Sequence, residues 1–176
     1  MKRILLTLLL LTLLLTSCAI AGQPYDYYTF TFTYPKSWQP MSEVSETYKS
    51  GQDFFWMGIL EDLTVTSVKH EGEPGAYFSV ATLEQSDEPV AGIIDFMYAI
   101  HEEDIRNYSE RQVSVAGVNG MSATYERAWE GQWLDFHDVW LEYGPLVYLL
   151  SLRADDLDKY QKETDMILES FTFKEN

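Results

Sequence analysis

Asp135 and His137 stand two residues apart in the segment QWLDFHDVWLEY, a spacing at which a strand projects both side chains from one face. A carboxylate beside an imidazole can act as orienter and base. No motif marks a nucleophile beside them: G-x-S-x-G, the P-loop and H-E-x-x-H are all missing from the chain. A cross-strand surface pair is the plainer reading. His101 is the second candidate. Placed on a helix at about 100° per residue, it falls in an apolar stripe between Met97 and Ile105, with Asp104 on the other side of that stripe. An unpaired polar group there would cost a few kcal/mol. A structural His101–Asp104 hydrogen bond, or a helix end reaching solvent, therefore stands against a metal-ligand pair. The sequence HEED at His101 lacks the second histidine of a zincin. Three acidic clusters, Asp87-Glu88, Glu102-Glu103-Asp104 and Asp155-Asp156-Asp158, invite calcium, yet none has the D-x-D-x-D-G spacing. Acids at helix starts, favoured by the helix dipole, account for them more simply.

Cys18 is the single cysteine, so no disulfide can form within the chain. It follows a basic start, Lys2-Arg3, and a leucine-rich run over residues 4–15. That run is shorter than the roughly 20 apolar residues a spanning helix needs and suits the core of a secretion signal. Leu15-Thr16-Ser17-Cys18-Ala19 resembles the lipobox of bacterial lipoproteins, in which the cysteine sulfur receives a diacylglyceryl group and the signal is cut just before it. An ordinary signal peptide cut near Ala19-Ile20-Ala21 is the competing reading; a lone thiol in a secreted chain argues for the lipid. The expected organisation is a signal over residues 1–17, a short lipidated tether over 18–27 and one domain over 28–176.

The charge is strongly negative: 28 acidic against 12 basic residues in a chain of 176, a formal net charge of −16. This argues against nucleic acid as a partner. It also argues against attraction to an anionic bilayer, so membrane contact is expected through the lipid anchor. With 46% hydrophobic and 15% aromatic residues the chain is expected to fold.

Residues 28–34 alternate threonine with aromatics, the strongest strand signal in the chain. Pro35 closes that strand, and Trp38 in the following loop is expected to fold back as a plug. Strands are expected over 53–61, 63–70 and 76–84, with Gly72-Glu73-Pro74-Gly75 as a turn. Helical spacing predicts a helix over 89–108, capped by Ser86 or Asp87. Four strands should follow in a meander, turning at Asn119-Gly120, Glu130-Gly131 and Gly144-Pro145. A last helix, capped by Asp155 or Asp156, carries an inner stripe of Leu157, Tyr160, Thr164, Ile167 and Phe171. This order of strands, helix, strands, helix is that of an α+β fold, a twisted antiparallel sheet with helices packed on it. Of the five tryptophans, Trp129 and Trp133 flank the Glu130-Gly131 turn. They either pack across the hairpin or form a partner-binding tip.

Three segments carry a family resemblance: FTFTYPKSW at the start, VSVAGVNGMSATY in the middle and YQKETDMILESFTF at the end. Together they resemble the PsbP-like family, with its strand ending in Tyr-Pro before a Trp and its closing helix and short strand. The resemblance implies an antiparallel sheet between helices, an α/β/α sandwich. It implies no enzyme activity, and it implies attachment of many members to larger membrane complexes.

The function expected from the sequence is therefore a non-enzymatic extracytoplasmic lipoprotein of the bacterial cell envelope. It would serve as a binding or accessory module for a membrane complex or envelope partner, with no cofactor. The alternative is a metal-binding protein or metal-assisted hydrolase using His101, Asp104, Asp135 and His137. Convergence of two histidines, from His70, His101 and His137, with a carboxylate would favour the alternative.

Overall fold

The computed structural model describes residues 20–27, 29–40, 59–67, 75–84, 90–99, 101–129 and 131–174. Cys18, Trp56, His70, the acids Asp87 and Glu88, the caps Ser86 and Asp87, the turn at Gly72-Glu73-Pro74, Glu130 and the Trp129 side chain lie outside the described residues. So does most of the strand expected over 53–61.

Two antiparallel sheets face each other. The smaller has the order β1-β2-β10, built from β1 (Gly22–Asp26), β2 (Phe30–Pro35) and β10 (Thr172–Phe173). The alternation in β2 works as expected: Phe30, Phe32 and Tyr34 are buried while Thr31 and Thr33 face the other way. Those threonines tie β2 to its neighbours. Thr31 Oγ1 donates to Tyr25 O at 2.7 Å, and Thr33 N donates to Ser170 Oγ at 2.8 Å. Residues 22–26, expected within a tether, instead pair along β2 from Gly22–Pro35 to Asp26–Thr31. Pro24 is tolerated because β1 is an edge strand.

The larger sheet has the order β3-β4-β5-β9-β8-β7-β6, all antiparallel. Its strands are β3 (Trp38–Pro40), β4 (Ile59–Ser67), β5 (Tyr77–Glu84), β6 (Ile105–Val115), β7 (Val118–Trp129), β8 (Gln132–Tyr143) and β9 (Leu146–Ala154). Trp38 is 2% exposed, so it plugs the core as expected, but from a short strand and not from a loop. One sheet was expected; the aromatic strand β2 forms a second because its apolar face needs a partner layer. Phe30, Phe32 and Tyr34 meet Phe78, Leu150 and Leu152 in the main core between the two sheets.

Helix α1 (Val90–Ala99) covers the opposite face, where Ile94 and Met97 pack on Ala81, Trp140 and Leu149. It is half the predicted length. His101 leaves the helical region, a 3-10 turn over Glu102–Asp104 follows, and Ile105 opens β6. Apolar spacing in residues 100–108 mimics a helix. Antiparallel pairing with β7, Val115 opposite Val118 and onward, overrides that local pattern.

The β6–β7 hairpin also turns elsewhere than expected. Ala116 and Gly117 occupy the turn with φ of 53° and 77°, as a type I′ turn requires. Asn119 and Gly120 lie within β7, opposite Ser114 and Val113. Gly120 is needed for proximity: a Cβ there would sit 2.1 Å from Trp140 O. The turns at Gly131 and Gly144 fall where expected, with φ of 83° and 61°.

The closing segment is a 3-10 turn, Leu157–Tyr160, and then helix α2 (Gln161–Ser170). Asp156 caps it, its side chain accepting from Asp158 N at 3.2 Å. Thr164 and Ile167 are buried, as is Phe171 just beyond the helix. Helix α2 lies on the side of the small sheet, where Ser170 Oγ bridges to β2. The molecule is thus layered as α1, large sheet, then small sheet with α2. Among the described residues no helix is long and apolar enough to cross a membrane.

Candidate functional site

Strand β8 contributes to two polar clusters among the described residues because its alternate residues point to opposite faces of the large sheet. Leu134, Phe136, Asp138 and Trp140 share the face under α1. Trp133, Asp135 and His137 share the other, on the side of α2.

Asp135 and His137 do share a face, as their spacing predicts, and both line a cavity of about 380 Å³. Strands β6, β7 and β8 form one wall and the closing helical segment forms the other. The two side chains nevertheless serve different partners. Asp135 Oδ2 accepts from Leu157 N at 3.0 Å and so anchors the 3-10 turn to the sheet. His137 Nε2 lies 2.8 Å from Ser122 Oγ, on a serine that is fully buried. Burial, and secondarily the Arg111 guanidinium, hold the imidazole below its ordinary pKa, so it is neutral at neutral pH.

Asn107 enters the same cavity through a bulge. Its φ of 55° is left-handed, and the β6–β7 register shifts between Arg106 and Ser109. A bulge re-aims side chains, and asparagine tolerates this conformation better than most residues. Asn107 Nδ2 and Arg106 both donate to Glu126, whose carboxyl is held below its usual pKa by these two contacts. The Arg106 guanidinium also lies 4.1 Å over the Trp133 ring, which is 40% exposed. Trp133 is thus partly exposed, with one face of its ring covered by Arg106.

His101 is elsewhere. It is half-buried beyond α1, and Arg127 Nη2 lies 3.2 Å and 3.3 Å from its ring nitrogens. The expected link to Asp104 is through the backbone, Asp104 N donating to His101 O at 2.9 Å, while the Asp104 side chain is exposed. A guanidinium against the ring opposes a metal cation. Arg127 pairs with Leu134 on the α1 face, whereas His137 pairs with Thr124 on the other face. The sheet thus separates the two histidines of the metal reading. Among the described residues no three His, Cys, Asp or Glu side chains are grouped closely enough to hold a metal ion. The acids near the last helix are occupied otherwise: Lys159 Nζ lies 3.4 Å from Asp155 and 3.6 Å from Asp156.

The polar cluster that the sequence reading missed is Asp138, 5% exposed beneath α1. Its Oδ2 accepts from Tyr98 at 2.9 Å and Tyr125 at 2.8 Å, and its Oδ1 accepts from Ser151 at 2.5 Å. Burial raises the Asp138 pKa, opposed by these three donors. Burial also drives both tyrosine pKa values far up, and the adjacent carboxylate adds to this. The cluster fastens α1 to the sheet, since Tyr98 lies on the helix. A signal was present: Asp138 interrupts the apolar alternation of Leu134, Phe136 and Trp140.

The sequence matches no family model and no curated protein. Solved structures do match. The cyanobacterial PsbP protein CyanoP of Synechocystis sp. PCC 6803 aligns at 14% identity with a TM-score of 0.55, over 91% of this chain and 99% of that one. LpqN, involved in cell envelope biogenesis of Mycobacterium tuberculosis, aligns at 12% identity and 0.52, over 88% and 86%. PA94 of Pseudomonas aeruginosa, a protein of unknown function, aligns at 16% identity and 0.51, over 80% and 89%. At such identities the likeness is one of fold, and the chain has the PsbP-like α+β fold.

Proposed function

We propose that this PsbP-like chain is a lipid-anchored, extracytoplasmic protein of a bacterial cell envelope, acting as a binding or accessory module and not as an enzyme. The observation that carries the reading is the commitment of its catalytic candidates to architecture. Asp135 holds the 3-10 turn, His101 lies against Arg127, and His137 is held by Ser122. Support for the location comes from the lipobox-like Leu15-Thr16-Ser17-Cys18. A structural neighbour involved in envelope biogenesis agrees with it.

The docking surface is the β7–β8 hairpin, with Trp129 and Trp133 as its anchors. Support comes from the exposed Trp133 ring and the Arg106 guanidinium stacked on it. Tryptophan and arginine dominate the energetics of protein interfaces, and a formal charge of −16 leaves recognition to a shaped patch. The partner is a protein of a membrane complex or of the envelope.

Two measurements test the reading. Cys18→Ala should leave the protein unprocessed or release it from membranes; unchanged fractionation and migration would refute the anchor. Cross-linking in the native membrane should trap a defined protein with the wild type, and the Trp129→Ala, Trp133→Ala double variant should lose it while remaining folded. Capture that survives in the folded double variant would move the docking surface elsewhere.

A further inference from the structure

The amino-terminal attachment and the β7–β8 hairpin leave the fold at the same end. One line of cross-strand partners crosses the large sheet through Gln39, Thr66, Tyr77, Arg153 and Phe136. One residue further on, Trp38 in β3 and Asp135 in β8 lie level with each other, opposite Ser67 and Ala154. Here β4 ends at Ser67 and β9 at Ala154. Strands β7 and β8 run on past them to the pair Trp129–Gln132. At about 3.3 Å per residue, Gln132 stands roughly 10 Å beyond Asp135. The turns at residues 116–117 and 144–145 close the opposite end of the sheet.

The chain is held at this same end from Ala21 onward. Lys36 N, two residues before Trp38, donates to Ala21 O at 2.9 Å, and Gly22 pairs with Pro35. Residues 22–26, which would have lengthened a tether, are paired in β1 instead. Three residue steps separate Ala21 from Cys18, and three extended residues reach about 10–11 Å. On the lipoprotein reading of Cys18, on which this inference rests, the lipid therefore begins within that distance of Ala21. The hairpin projects by a similar length at the same end. A soluble partner would have to enter the narrow space between domain and bilayer, whereas a protein embedded in the membrane already presents a surface there. Trp133, partly exposed, and Arg106 over its ring supply an apolar body with polar edges, the combination suited to the boundary between lipid and water. A formal charge of −16 opposes contact with an anionic leaflet alone. We propose that the domain stands with the β7–β8 hairpin toward the bilayer, and that the partner of this hairpin is a membrane-embedded protein contacted at the lipid surface.

The test measures orientation and contact separately. A fluorescent amino acid is placed at Gln132 or at Glu142, both exposed and ten residues apart on β8, a separation of about 33 Å. The lipidated protein is inserted into phosphatidylcholine vesicles carrying an acceptor on the lipid headgroup. Energy transfer from position 132 should be several-fold stronger than from position 142. Equal transfer, or stronger transfer from 142, in a vesicle-bound protein would overturn the orientation while leaving the anchor intact. A wild-type protein that does not associate with membranes at all would overturn the anchor and this inference together. A photo-reactive amino acid at position 132 in native membranes should form an adduct with a protein that has membrane-spanning segments, and one at position 142 should not. An adduct with a soluble envelope protein, or with lipid alone, would overturn the assigned partner.

Discussion

His137 and Asp138 are neighbours on one strand, and they end in opposite kinds of environment. Asp138 lies under α1, where three hydroxyl donors converge on one carboxylate. His137 lies on the α2 side, with one serine partner, beside a cavity and a buried threonine hydroxyl that nothing satisfies. The first environment is closed and serves cohesion: it fixes a helix to a sheet. The second is a cavity with lining side chains tied locally, Asn107 to Glu126, His137 to Ser122 and Asp135 to the backbone of Leu157. The contrast arises because the two faces are covered differently. Tyr98, Ile94 and Met97 bring α1 down onto the sheet, whereas α2 inclines over β2 and leaves space above β6–β8.

The largest effect should come from breaking the closed side. Asp138→Ala strands three hydroxyls, two of them on tyrosines packed ring to ring at 5.1 Å. Loss of such a network should cost about 3 kcal/mol or more, read as a fall in the denaturation midpoint. Asp138→Asn keeps an acceptor oxygen and should cost clearly less. Equal losses in the two variants would mean that the hydroxyls do not depend on this carboxylate.

Alkaline pH probes the same side without a mutation. The folded-state pKa values of Tyr98 and Tyr125 are raised, so above the ordinary tyrosine pKa of about 10 the unfolded chain releases protons that the folded chain keeps. Stability should therefore fall as pH rises past that point. The Tyr98→Phe, Tyr125→Phe pair should flatten this limb in denaturant melts followed against pH. An alkaline limb unchanged in the double variant would assign it to other groups.

The open side responds to acid and more weakly. The folded pKa of His137 is depressed, so below the ordinary histidine pKa of about 6.5 the unfolded chain takes up a proton that the folded chain resists. Stability is present above that pH and is lost as pH falls through it. His137→Gln should reduce the slope of stability as pH falls below about 6.5. A slope identical to wild type would show that the ring is not the group that titrates.

The smallest effect on folding should come from Trp133→Ala alone. The ring is 40% exposed and its stacked Arg106 retains Glu126. Cation–π pairs at exposed sites contribute about 0.5–1 kcal/mol, so the melting temperature should shift only slightly. A loss approaching that of Asp138→Ala would place Trp133 among the structural residues of the hairpin.

Local signals were legible wherever a residue's role depends on its near neighbours. The alternation in β2, the glycines at positions 131 and 144 with positive φ, the Asp156 cap and the buried stripe of Thr164 and Ile167 can all be read from short segments. Signals with two physical causes point the wrong way. Gly120 after Asn119 has the form of a hairpin turn, yet its glycine answers the approach of the Trp140 carbonyl, while the turn falls at Ala116-Gly117. Residues 100–108 have helical apolar spacing, yet they form the turn and the edge strand that pairs with β7. Strand β1 was hidden by Gly22 and Pro24, which only an edge position accommodates.

The sequence by itself determined the α+β order, the acidic charge, the meander and the shared face of Asp135 and His137, because period and turn chemistry act within a few residues. Tertiary structure alone decided that His101 and His137 lie on opposite faces, that Asp138 is buried among hydroxyls, and that Asp135 and His137 line a cavity under the closing helical segment. The reason is one of range. A strand's alternation says which residues share a face, but what covers that face comes from elements far along the chain, Tyr98 in one case and residues 157–164 in the other.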